Sequence, residues 1–188
     1  MKIGVLALQG AVREHIHALQ NCGAEAIPIK KTDQLNQVNG LIIPGGESTT
    51  VGKLMVKYGF MEAIKNRVQE GMPVFGTCTG LIVLAKRVFD SNQPTLGLLD
   101  VTVVRNAFGR QVDSFETDIT VKGFSSRFPA IFIRAPYVKE VGPSVEVLSI
   151  FADKIVFVKE NRILGAAFHP ELTHDLRIHQ MFLELCKG

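Results

Sequence analysis

Apolar and polar positions change their rhythm about halfway along the chain. Residues 2–8, KIGVLAL, form a nearly unbroken apolar run of the kind buried on both faces of a parallel sheet. In AVREHIHALQNCG, Val12, Ile16 and Leu19 then fall at helical spacing, with Gly23 as the stop. AEAIPIK reads as a second strand that Pro28 confines to an edge or irregular position. GLIIP, residues 40–44, reads as a third, and GGESTT as a turn with Ser48 capping the next helix. That helical stretch runs to about Glu70 with a break near Gly59. MPVFGT is a fourth strand, and TGLIVLAKRV the helix after it.

Beyond residue 100 the pattern is of short strands with little helix between them: VTVVRN, FETDITVKG, AIFIRAP, VEVLSIF, KIVFVKE and RILGAAF. These predict antiparallel hairpins that extend the sheet or pack beside it. A last helix is expected from Thr173 to Cys186, with Leu176, Phe182 and Leu185 on its buried side. Together the segments predict an α/β fold: an open, mostly parallel central sheet flanked by helices, with antiparallel strands added in the second half. No repeat or linker interrupts residues 1–188, so a single domain is expected.

Composition narrows the function classes. At 188 residues, 46% hydrophobic and 21% charged, the chain can bury a core without disulfide or metal staples. The net charge is only +3 and the basic residues are scattered, which argues against a nucleic-acid stripe. No apolar run is long enough to cross a membrane, and the short N-terminal run lacks the features of a signal peptide. Three widely spaced cysteines, Cys22, Cys78 and Cys186, do not suggest a disulfide framework and fit a reducing cytoplasm.

Ligands of open parallel sheets bind beyond the carboxyl ends of the strands. LQG, PGGEST and GTCTG should meet there. GTCTG, residues 76–80, has the G-x-nucleophile-x-G spacing of a strained strand-to-helix elbow, with Cys78 at a helix N-terminus. Free cysteine is also among the most buried residue types, so this pentapeptide leaves nucleophile and structural cysteine both open. In FHPEL, Pro170 holds His169 extended, which projects His169 and Glu171 to the same side. A base with an orienting carboxylate is what a thiol nucleophile requires, although HPE alone also reads as a solvated loop. The two pieces together point to a Cys78–His169–Glu171 triad. GGESTTVGK resembles a phosphate loop but miscounts, with five residues between Gly46 and Gly52 and Leu54 after Lys53. The N–H groups of Gly46 and Thr79 suit an oxyanion better, with a plain structural turn as the alternative. His15, His17, His174 and His179 lack metal-site spacing, and packing roles are expected for Cys22 and Cys186.

PGG after the third strand, the G-x-C-x-G elbow and the late H-P-E resemble the class I (triad) glutamine amidotransferases. LALQGAVREH, PGGESTT, GTCTGLI, RNAFGRQVDSFE and FIRAP further resemble one branch, the glutaminase subunits of pyridoxal 5′-phosphate synthase. The resemblance implies Cys78 as nucleophile, His169 as general base and acid, and Glu171 as its orienting partner. It implies glutamine contacts at Gly46, Glu47, Ser48, Arg105, Ile133 and Arg134, with neither cofactor nor metal. Thr79 departs from the alanine more usual in the family. The implied partners are L-glutamine and a barrel-shaped synthase subunit, which receives ammonia through the protein interior and makes pyridoxal 5′-phosphate. The resemblance further implies a weak glutaminase until that subunit docks and completes the oxyanion hole. Three rival readings remain: a triad glutaminase feeding another synthase, a binding or redox module on a similar sheet, and a cysteine peptidase.

Overall fold

The computed structural model describes residues 1–106 and 114–188. The part of RNAFGRQVDSFE at 107–113 lies outside the described residues. Chain order begins with β1 (Lys2–Leu6), α1 (Val12–Asn21), β2 (Glu25–Ile29) and β3 (Gly40–Ile43). Next come α2 (Ser48–Lys57), α3 (Phe60–Gln69), β4 (Val74–Thr77), α4 (Thr79–Leu84) and β5 (Ala85–Val88). The remaining strands are β6 (Leu99–Val104), β7 (Ser114–Ile119), β8 (Phe128–Ile133), β9 (Tyr137–Val141), β10 (Glu146–Phe151), β11 (Lys154–Glu160) and β12 (Ile163–Ala166). Helix α5 (Arg177–Lys187) follows a short 3-10 turn at Pro170–Leu172.

One large sheet runs β2-β1-β3-β4-β12-β11-β9-β6-β5, with β10 also paired to β11, while β7 and β8 form a separate antiparallel pair. The block β2-β1-β3-β4-β12 is parallel throughout. Its central strands β3, β4 and β12 are buried along their whole length, as continuous apolar runs require when both faces are covered. Pro28 sits in β2 at the sheet edge, where its missing N–H costs no ladder bond. The β12–β4 register matters most for function. It pairs Ala166 with Thr77, and the Cys78 N–H donates to the Ala166 carbonyl at 2.8 Å.

Several local expectations need correction. TGLIVLAKRV is not one helix: α4 stops at Leu84, and Ala85–Val88 pairs in parallel with β6. Pairing with β6 buries Ala85 and Val88 and leaves Lys86 and Arg87 exposed, overriding the helical pattern. Tyr137–Val141 is a further strand, buried at Val138 but mostly polar outward. The cap of α2 is Glu47 instead of Ser48, because its longer side chain accepts from the N–H groups of both Thr49 and Thr50. Helix α5 begins at Arg177 instead of Thr173, where Asp175 accepts the Arg177 N–H at 3.1 Å and delays the helix. Phe182 is fully buried there, whereas Leu176 and Leu185 are half-buried. The break at Gly59 has a clear cause, since that residue takes φ 76° between α2 and α3.

Candidate active site

Cys78 sits between β4 and α4 with φ 50° and ψ −103°, a strained conformation for a residue with a side chain. The flanking glycines make the turn possible by contact as well as by torsion. A Cβ on Gly80 would lie 2.0 Å from the Ile43 carbonyl oxygen, and one on Gly76 would lie 2.4 Å from Gly80. The thiol is thereby turned out of the sheet, with its nearest backbone acceptor, Ile133 O, at 3.8 Å.

The second component arrives from β12. Because Ala166 pairs with Thr77, the chain three residues further on reaches the end of β4, where Cys78 stands. The His169 N–H is fixed by the Ile131 carbonyl at 2.8 Å, and its Nδ1 meets Glu171 Oε1 at 2.7 Å. The rest of the imidazole lies beside Cys78, both side chains adjoining Gly45 and lining one cavity. Burial opposes charge on His169, but its interactions with Cys78 and Glu171 outweigh it and lift its pKa to about 10. Burial likewise opposes charge on Glu171, yet His15 and the His169 hydrogen bond hold its carboxyl below the usual value.

A cavity of about 420 Å³ opens over the thiol, lined by Gly46, Glu47, Ser48, Cys78, Thr79, Ile82, Arg105, Asn106, Ile133, Arg134 and His169. The structure thus brings the expected residues to one place, with Glu171 behind His169 and away from the opening. Their roles divide by position. Glu47 is held as a carboxylate, down to about 2, chiefly by the Thr50 hydroxyl and the Thr49 N–H. Arg105 reaches Gln93 Oε1 at 3.1 Å and Thr49 Oγ1 at 3.5 Å. At the PGG turn the Gly46 carbonyl accepts a hydrogen bond from the Thr79 hydroxyl, while the next N–H, of Glu47, donates to Gln9 Oε1 at 2.9 Å. A larger cavity, about 760 Å³ beside Cys22 and α5, has no histidine among its described lining residues, and burial raises Cys22 above its ordinary value.

Sequence reasoning passed over four residues here. Gln9 holds the PGG turn, and Gln93 bridges Ser48 and Arg105 through Oε1. His15 and His179 are both fully buried instead of idle. His15 Nδ1 lies 3.0 Å from His179 Nε2, and its Nε2 lies 3.0 Å from Thr77 Oγ1 and 3.3 Å from Glu171 Oε2. A signal for both was present. His15 falls on the apolar stripe Val12, Ile16, Leu19, and His179 lies between Ile178 and Phe182 on the buried face of α5. Among the described residues no cluster of three or more His, Cys, Asp or Glu could hold a metal ion.

Known proteins share this arrangement. The chain is 54% identical to pyridoxal 5′-phosphate synthase subunit PdxT of Anoxybacillus flavithermus, over 100% of this chain and 97% of that one. It is also 54% identical to the subunit of the same name from Carboxydothermus hydrogenoformans, with 100% of both chains covered. A crystal structure of a glutamine amidotransferase superposes with a TM-score of 0.95 at 49% identity, over 99% of each chain. A profile of the SNO glutamine amidotransferase family matches residues 5–188, and with the elbow cysteine, its histidine and its buried carboxylate in place, this chain belongs to that family.

Proposed function

We propose that this protein is the glutaminase subunit of a pyridoxal 5′-phosphate synthase, acting as one domain and hydrolysing L-glutamine to glutamate and ammonia. The observation that carries the reading is Cys78 on its strained elbow, beside a histidine in the same cavity whose Nδ1 is held 2.7 Å from a buried carboxylate. The names of the PdxT relatives supply the synthase.

His169 takes the Cys78 proton, and the thiolate attacks the side-chain amide carbon of glutamine. Electrons move onto the carbonyl oxygen, which requires backbone N–H groups at Thr79 and the Gly46 turn. The tetrahedral intermediate collapses as His169 donates its proton to the leaving nitrogen, releasing ammonia. Water, deprotonated by His169, then cleaves the γ-glutamyl thioester and restores the thiol. Arg105 suits the α-carboxylate of the substrate, and the Glu47 carboxylate suits its α-ammonium. With the Gly46 carbonyl bonded to the Thr79 hydroxyl and the Glu47 N–H bonded to Gln9, the turn does not present a complete oxyanion site. Docking of the synthase subunit would reorganise that turn, which accounts for a glutaminase that waits for its partner. Among the described residues no helix is long and apolar enough to cross a membrane, and all three cysteines are free, which supports a reducing, cytoplasmic setting.

The test is ammonia release from glutamine with and without the synthase subunit. The reading expects stimulation by that subunit, equimolar glutamate, and no turnover by Cys78→Ala. Absence of hydrolysis in both conditions, or full activity in Cys78→Ala, would overturn it.

A further inference from the structure

We infer that His15, itself oriented by His179, is a positioning residue that holds Glu171 ionised and in register with His169. This rests on the triad reading above and deepens it. His15 does not line the cavity and cannot touch substrate. It stands behind the triad, fully buried, with its Nε2 toward the Glu171 oxygen that His169 does not use.

The hydrogen-bond inventory decides which nitrogen of His15 carries the proton. Glu171 Oε1 takes the His169 Nδ1–H, whereas Oε2 is fully buried without a hydrogen-bond partner among the described residues, its polar neighbour being His15 Nε2 at 3.3 Å. Burial keeps His15 neutral, so it has one N–H to place. With that proton on Nδ1, a bare lone pair would face a buried carboxylate oxygen, two acceptors in contact with nothing between them. With it on Nε2, the N–H donates to Thr77 Oγ1 at 3.0 Å and brings the positive end of its dipole to 3.3 Å from Glu171 Oε2, while Nδ1 accepts from His179 Nε2–H at 3.0 Å. In the imidazole pair that leaves the His179 Nδ1 lone pair without a partner, a smaller cost than a buried N–H left unpaired there, and this atom is indeed buried and unpaired. One oriented series therefore passes from α5 through α1 to the carboxylate: His179 donates to His15, the His15 Nε2–H stands 3.3 Å from one oxygen of Glu171, and His169 donates to the other.

The groups facing His15 come from every element around it. Glu171 and His169 come from the segment after β12, His179 from α5, Glu14 from its own helix, and Thr77 from β4. The Phe75 ring closes the remaining side edge-on. Thr77 immediately precedes Cys78, so the same imidazole ties the base's carboxylate to the strand that carries the nucleophile. Without the Nε2–H, the anionic form of Glu171 loses the polar edge 3.3 Å from its buried oxygen, and the His169 imidazolium loses support.

The experiment measures glutamine hydrolysis by the full chain with its synthase subunit, as a pH profile of kcat and kcat/KM. His15→Leu is expected to lower kcat about tenfold, a small part of the ~10²–10⁴ that acid–base catalysis contributes. KM for glutamine should hardly change. The alkaline limb, where His169 loses its proton, should move to lower pH by about one unit. His15→Gln returns an N–H near the Nε2 position and should restore the limb and most of the rate. His179→Leu should move the limb the same way by less, and it reads the same chain of donors if His15→Leu fails to fold. A lowered kcat with an unmoved limb and no rescue by glutamine would reduce His15 to packing and overturn the inference, as would wild-type kinetics in folded His15→Leu. Full hydrolysis by Cys78→Ala in the same assay would instead remove the triad, and this inference with it.

Discussion

The two sides of the Cys78–His169 pair are built on opposite terms. In front lies an open cavity whose polar groups, Glu47 and Arg105, are surface residues held by threonines and Gln93. Three residues there, Cys78, Asn106 and Arg134, adopt positive φ without being glycine. Behind lies a closed cluster of Glu171, His15 and His179 with no exposed side-chain surface on the first two. The contrast separates two tasks. Groups that bind and release a polar substrate must exchange with water, so they sit on turns that can be remade. Groups that hold a proton in one place must be kept from water, where each bond is electrostatically stronger and any loss is costly.

Breaking the closed side should cost most. Glu171→Ala is expected to lower glutamine turnover by about 10²–10⁴-fold, read as ammonia release with the synthase subunit, because His169 loses both orientation and its counter-charge. At the hinge between the two sides, Gly80→Ala places a methyl 2.0 Å from the Ile43 carbonyl oxygen. It should cost about 3 kcal/mol of stability by overpacking, measured as a lowered denaturant midpoint at constant slope. On the open side, Arg105→Ala should raise KM for glutamine about tenfold with a smaller change in kcat, the loss of one charge-assisted contact.

Acidity sharpens the same comparison. Burial holds His15 below its ordinary value and drives His179 down to about 3, so both are neutral when folded. Below pH 6.5 the unfolded chain takes up protons that the native state refuses. Stability should therefore fall as pH drops below 6.5, for His179 down toward 3, by at most about 1.4 kcal/mol per pH unit for each group. His169 runs the other way. Raised to about 10, its contribution is complete below pH 6.5 and is lost as pH climbs toward 10. Urea midpoints across this range check both arms, and His179→Leu should flatten the acid one. The smallest effect belongs to Thr79→Ala, which frees the Gly46 carbonyl and should raise partner-free hydrolysis a few-fold. An unchanged basal rate would show that the Thr79 hydroxyl does not hold the turn.

Legibility in the sequence followed the range of the interactions. The elbow, the HPE pair and the alternation of strands and helices are all local patterns, and each was readable. Residues with exposed or mixed environments were misread for a physical reason. Ala85–Val88 continues a helical pattern but is claimed by β6, and Tyr137–Val141 is too polar to announce itself as a strand. His15 and His179 carry no spacing that links them, since they meet only when α1 and α5 pack against β4 from distant parts of the chain.

By itself the sequence determined a thiol on a glycine-flanked turn and a histidine two residues from a carboxylate, because backbone stereochemistry dictates both within five residues. Tertiary structure alone decided that these two pieces meet. The insertion of β12 beside β4, in parallel and in a register that pairs Ala166 with Thr77, carries His169 to Cys78 across about ninety residues of chain. It also decided what stands behind them. A buried carboxylate needs donors from whichever elements enclose it, and those donors came from the first helix and the last.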